Sequence, residues 1–261
     1  MKELIQRSFF GLLYVLAVIL ALQTYSWTVV LLGVFMLTGL KEFSRLVDLN
    51  YQTALLPVIF IYIFSFLYHY QTVIDVKVLQ VAGGFMLISL FIPMIYFIFD
   101  KIERAMLGNF YMSVFYLAIP FSLALGIEGK LLLYVFVIIW SSDSFAYLTG
   151  KYFGKHKLAE KISPKKTIEG FAGGLISSLL IAYLIFSYMG GYKQISLLQF
   201  LLLALLIVLT GTLGDLLESR FKRLANVKDS GSLIPGHGGV LDRLDSFIFA
   251  VPFVYAYLLI I

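Results

Sequence analysis

Gly211-Thr212-Leu213-Gly214-Asp215-Leu216-Leu217-Glu218-Ser219-Arg220-Phe221-Lys222-Arg223 opens a polar stretch that continues through Lys228-Asp229 and closes with Pro235-Gly236-His237-Gly238-Gly239-Val240-Leu241-Asp242-Arg243-Leu244-Asp245-Ser246. It joins two of the most apolar segments of the chain, 197–217 and 246–261. Neighbouring helices in a bundle need only a few residues between them. This connection instead packs five cations and five carboxylates into 36 residues, with many glycines. The pattern reads as two lipid-crossing helices joined by a site that handles phosphate and metal.

Composition supports the membrane half of that reading. Of 261 residues, 61% are hydrophobic and 13% charged, against about 45–50% and about 25% in soluble domains. The expected class is an all-α, polytopic integral membrane protein. Without cysteine, disulfides and thiolate metal sites are excluded. The net charge of +5 reflects loop bias in a membrane chain rather than nucleic-acid binding. The start, Met1 to Arg7 followed by an apolar run, resembles a signal peptide, but no small-residue cleavage site follows, so it is expected to be a retained span.

A membrane helix takes roughly 20 mostly apolar residues. Nine segments qualify: 8–23, 26–40, 53–70, 78–99, 106–126, 131–150, 168–189, 197–217 and 246–261. The first two are short enough to be a re-entrant pair. None shows the period-2 alternation of a barrel strand. If the N-terminus is cytoplasmic and sides alternate, only Lys77, Lys130 and Lys193 of the 20 lysines and arginines fall outside the cytoplasm. That bias predicts an N-in, C-out topology with an odd number of spans and places 211–246 in the cytoplasm.

Residues 1–126 read as a transmembrane scaffold and 127–261 as the catalytic region. In the first part, Lys41-Glu42 and Arg45 look like a solvated helix end, and Gly83-Gly84 suits close helix packing. Asp100 to Arg104 reads as an ordinary turn, and His69 as a structural residue between Tyr68 and Tyr70. In the second part, Asp143 sits among Ser141, Ser142 and Ser144 inside an apolar segment. A carboxylate at that depth must face a wet cavity, a metal or a partner, a salt bridge being the plain alternative. Gly150-Lys151 and Gly154-Lys155 can present N–H groups and ammonium charge to phosphate, or to anionic lipid. Ser163 is expected to cap a helix with Pro164 at its first position, so that Lys165, Lys166 and Thr167 make an anion site at a helix N-terminus.

Asp215 and Glu218 share a helical face by spacing, and Asp242 and Asp245 repeat that spacing before the last helix. Carboxylates from two helix ends can converge on magnesium, which favours one or two carboxylates with water and substrate phosphate. The Gly236-His237-Gly238-Gly239 turn allows a ligand close to the backbone. His237 can contact a phosphate or base, or simply complete the turn.

The run Ser219 to Arg223, Lys228-Asp229 and Pro235 to Asp245 resembles the signature of the phosphatidate cytidylyltransferases, over about 27 residues with fixed spacing. The segments 163–170 and 143–158 are similar to other conserved blocks of that family. Phe145 departs from the pattern, where a small residue is expected, without disturbing the catalytic positions. The resemblance implies that CTP and phosphatidic acid give CDP-diacylglycerol and pyrophosphate at the cytoplasmic face of the inner (plasma) membrane. It further implies Mg2+, with a second cation. Asp215 and Asp242 are the expected metal ligands, with Asp143, Asp229 and Asp245 nearby. Lys166 and Arg243 join the two aspartates as catalytic residues. Asp143, Ser163, Lys165, Thr167, Arg220, Lys222, Arg223, Lys228, His237, Gly238 and Gly239 are the expected substrate contacts. A homodimer through the scaffold half is a further expectation.

Two rival readings remain. A transporter with a broken-helix ion site would use polar breaks at mid-membrane, yet the ionisable groups cluster on one side and no repeated half is visible. A CTP-dependent polyprenol kinase would release CDP rather than pyrophosphate. The closely spaced Asp/Gly motif of enzymes that consume CDP-lipid is not found.

Overall fold

The computed structural model describes residues 2–70, 113–192, 195–236 and 238–261. The expected span 78–99, Gly83-Gly84, the 100–104 turn, Lys77, Lys193 and His237 lie outside them. The described chain is nearly all helix: α1 (Lys2–Ala21), α2 (Tyr25–Leu46), α3 (Tyr51–Tyr70), a π-helical turn (Val114–Ala118), α4 (Ile119–Ala124), α5 (Gly129–Phe153), α6 (Ile168–Met189), α7 (Leu197–Leu224), a 3-10 turn (Leu241–Arg243) and α8 (Asp245–Ile260). Among the described residues, four helices are long and apolar enough to cross a membrane: Tyr51–His69, Gly129–Phe153, Ile168–Met189 and Leu197–Leu224. Shorter apolar helices are Ser8–Ala21, Val114–Ala124 and Asp245–Ile260.

In the first two segments, α1 and α2 run for 20 and 22 residues. One expectation is corrected. Ser163 does not cap a helix. Ser163–Thr167 is a strand, β2, paired antiparallel with β1 (Lys157–Ala159). The cap is Thr167, whose side chain accepts from Gly170 N–H at 3.1 Å. Proline drives the residue before it out of the helical region, so Ser163-Pro164 extends the chain and the helix starts only after a second hydroxyl residue.

α7 also runs seven residues past the apolar limit at 217, carrying Glu218 to Leu224 as helix. Its start has a reciprocal cap: Gln199 N–H donates to Ser196 Oγ at 3.3 Å, and Ser196 N–H to Gln199 Oε1 at 2.9 Å. That pairing satisfies helix-end donors that lipid cannot.

Small residues let two helix pairs approach closely. On α6, Gly170, Gly174 and Ser178 recur every fourth residue and face α5. An added Cβ at Gly170 would lie 2.8 Å from Ala146 O, and one at Gly174 would lie 2.7 Å from Ser142 O. Ser178 Oγ donates to Ile138 O at 3.2 Å. On α7, Gly211 and Gly214 face α8, and a Cβ at Gly214 would meet Asp245 O at 2.5 Å. Beneath these pairs lies an aromatic core in which Phe136 of α5 stacks on Phe247 of α8 at 4.5 Å. The C-terminal ends of α2, α5 and α7 and the N-terminal ends of α6 and α8 meet at one end of the bundle, joined by the β1–β2 hairpin.

Candidate active site

Asp143 lies ten residues before the C-terminus of α5, about 15 Å along the helix axis. The close α5–α6 approach brings this face of α5 opposite β2. Between them is a cavity of about 440 Å³. Its lining is mixed: Asp143, Lys151, Lys165, Lys166 and Asp215 are charged, and Ala146, Tyr147, Leu158 and Phe171 are largely apolar. A second cavity of about 340 Å³ lies on the other flank of Asp143, lined by Tyr14, Trp140, Asp242, Arg243 and Asp245. Asp143 thus belongs to both walls.

A chain of polar contacts runs across this end. Lys166 Nζ donates to Asp215 Oδ2, whose other oxygen accepts from Ser219 Oγ at 3.3 Å. One turn on, Lys222 Nζ bridges Glu218 at 2.5 Å and Asp242 Oδ1 at 2.7 Å. Asp242 Oδ2 accepts from Ser230 N–H and Ser230 Oγ, both at 2.9 Å, and from Gly239 N–H at 2.7 Å. Burial works against ionisation of Asp242, but Lys222 and these donors outweigh it and hold the carboxyl below its ordinary range.

The expected site residues therefore fall into groups. Asp143, Lys165, Lys166, Thr167 and Asp215 are brought together around the first cavity, and Asp242, Arg243 and Asp245 around the second. Lys222 is buried between two carboxylates and lines neither cavity. Arg223 donates to Ile162 O at 3.3 Å and Val227 O at 3.1 Å, tying the end of α7 to the hairpin. Ser163 pairs with Ala159 in the hairpin. Arg220 is half-buried, and Lys228 and Asp229 are exposed on the loop after α7. Gly238 adopts φ +83°, and a Cβ there would meet Asp242 Oδ2 at 2.7 Å. Gly238 and Gly239 thus hold Asp242 in place. Phe145, the departure from the family pattern, is exposed on α5.

Among the described residues no three His, Asp or Glu side chains form a ready-made metal cage. The donor set still fits a hard cation that arrives with phosphate. Asp245 lies in the electrostatic range of Asp215, Glu218 and Asp143, and Asp143 in that of Asp215, Lys166 and Arg243. The fully buried Glu218 leaves Oε1 without a hydrogen-bond partner, an arrangement that favours added positive charge. Sequence reading passed over Glu42, which is buried against the 230–241 loop. It also passed over Glu169, which accepts from Lys155 N–H at 3.0 Å and His156 N–H at 3.1 Å. Glu42 resembled a surface residue because Lys41 and Arg45 flank it; Glu169 carried a first-turn signal, an acid two residues after the cap.

Residues 5–261 match the sequence profile of the cytidylyltransferase family. The chain belongs to that family. It is 51% identical over 127 residues to a phosphatidate cytidylyltransferase of Haemophilus influenzae, covering 47% of this chain and 43% of that protein. It is 50% identical over 122 residues to one from Bacillus subtilis, covering 47% of this chain and 45% of the relative. A Staphylococcus epidermidis phosphatidate cytidylyltransferase is 41% identical over 182 residues, 68% of each chain. In the first two, the matched part is under half of the relative's own length.

Proposed function

We propose that this protein transfers the cytidylyl group of CTP to phosphatidic acid, forming CDP-diacylglycerol and pyrophosphate. The observation that carries this is the mixed lining of the first cavity: Lys151, Lys165, Lys166, Asp143 and Asp215 share it with apolar Leu158 and Phe171. A soluble nucleotide needs the charged groups, and a lipid phosphate needs both kinds. The lipid phosphate is already ionised at neutral pH, so no side chain has to remove a proton from it. Its oxygen attacks the α-phosphorus of CTP while the bond to pyrophosphate breaks in line.

The protein's task is to position and neutralise. Lys166 exchanges its bond to Asp215 for a substrate phosphate oxygen, with Lys165 and Lys151 beside it. Arg243 supplies positive charge from the second cavity. Asp143, Asp215, Asp242 and Asp245 would hold Mg2+. When bound, the metal neutralises phosphate charge and favours departure of pyrophosphate; the orphaned oxygen of Glu218 supports a second cation nearby. The charge bias of the loops supports nine spans with N-in, C-out topology and a site on the cytoplasmic face of the inner membrane.

The test is pyrophosphate release from CTP by purified full-length protein in detergent, with phosphatidic acid and Mg2+. Turnover should require both substrates and fall at least 100-fold in Asp215→Asn. Release of CDP, or turnover with polyprenol instead of phosphatidic acid, would place the chain with the lipid kinases.

A further inference from the structure

Glu42 lies near the end of α2, in the half of the chain without other apparent chemistry, yet it is only 5% exposed. Its carboxylate accepts from Leu241 N–H at 2.8 Å, Val240 N–H at 3.1 Å and Ser230 Oγ at 3.2 Å. These donors come from both ends of the 230–241 loop, nearly 200 residues away in sequence. Ser230 lies between the two acids: its single hydroxyl proton can serve Glu42 or Asp242 Oδ2, the latter 2.9 Å away, while its N–H holds Asp242 Oδ2 at 2.9 Å. The loop is thus clamped between two carboxylates, one from each half of the chain.

Two glycines record the same contact. A Cβ at Gly231 would run into Glu42 Oε1, and one at Gly239 would lie 2.5 Å from Glu42 Oε2. Neither has a positive φ among those observed, so what excludes a side chain is the Glu42 carboxylate at Gly231, and the carboxylate together with Ser230 Oγ at Gly239. Glu42 is held in turn by its neighbour. Phe43 packs against Phe221 at 5.1 Å and Tyr116 at 5.2 Å, fixing the end of α2 against α7 one residue before Lys222.

We propose that Glu42 is a positioning residue for the reaction. It sets the loop and, through Ser230, the direction of the Asp242 carboxylate, without touching either substrate. This rests on the cytidylyl-transfer reading above. A small displacement of a reacting group is enough to cost about 100-fold in rate, so loss of the clamp should appear in kcat rather than in binding of the lipid.

The experiment uses the full chain in detergent, with pyrophosphate release and amide hydrogen exchange measured on the same samples. Glu42→Gln keeps the shape and removes the charge. It should lower kcat at least tenfold, leave KM for phosphatidic acid unchanged, and speed exchange at Val240 and Leu241 but not in α5 or α6. The thermal midpoint should stay within a few degrees of wild type. A second pair guards against a folding artefact: Gly231→Ala should impair the wild-type background more than the Glu42→Asp background, where the carboxylate is withdrawn by one methylene. Wild-type kcat and wild-type exchange in Glu42→Gln overturn the proposal, and so does additive behaviour of Gly231→Ala with Glu42→Asp. Failure of the wild-type chain to release pyrophosphate instead refutes the cytidylyl-transfer reading, while the exchange arm still reports on the clamp.

Discussion

At the residue scale, two lysines that look alike in the sequence have different surroundings. Lys166 is 29% exposed and pairs with Asp215, which is 24% exposed, on a cavity wall. Lys222 is 10% exposed and pairs with Glu218 and Asp242, at 0% and 7%. A partly hydrated pair contributes about 0–1 kcal/mol to stability, whereas removing one member of a buried ion cluster costs about 3–5 kcal/mol. Lys166→Ala should therefore abolish most turnover at a nearly unchanged thermal midpoint. Lys222→Met should lower the midpoint sharply, leaving two buried carboxylates without a counter-charge. Thermal unfolding and pyrophosphate release on both variants check the contrast. Asp242 gives a pH prediction of definite sign. Its folded-state carboxyl is depressed, so its contribution is fully present above the unfolded value of about 3.9. It is lost as pH falls through the lower folded value. Between pH 5 and 8 the loop should stay anchored, and below about pH 4 stability should drop by an increment that Asp242→Asn removes. Acid titration of unfolding in wild type and variant measures it.

At the element scale, the site depends on how closely α5 and α6 can lie. Gly170, Gly174 and Ser178 make that possible, and the same face of α5 carries Ser142 and Ala146 beside Asp143. Gly174→Leu should force the helices apart, widen the cavity between Asp143 and Lys166, and reduce turnover at least tenfold. Pulldown yield and activity of Gly174→Leu test this; unimpaired activity would show that the site tolerates a wider helix pair. The helices α5 to α8 were legible because each carries a long apolar run. Their ends were not. Hydropathy marks where lipid stops, but Glu218 to Leu224 continue as helix in the polar zone because backbone hydrogen bonding extends beyond the hydrocarbon boundary. Ser163-Pro164 resembled a helix start, and only the pairing of Ser163 with Ala159 shows that an intervening strand moves the cap to Thr167.

At the scale of the whole molecule, one end of the bundle gathers Lys151, Lys165, Lys166, Lys222, Arg223 and Arg243, while Lys130 lies at the start of α5, at the opposite end. With the charged end in the cytoplasm, a tag placed after Ile261 should be labelled by membrane-impermeant reagents from the outside of intact cells. Labelling only after permeabilisation would require an even span count. The sequence by itself determined the class, a nearly all-helical chain with apolar runs of bilayer length. It also located the carboxylates and cations between those runs, which need a hydrated or ligand-bound role. Only the tertiary structure decided which charges line a cavity and which neutralise each other, because that depends on burial and on contacts between residues far apart in the chain. Glu42 reaching Leu241, and Lys222 turning inward to Glu218 and Asp242, are consequences of helix packing that no local spacing encodes.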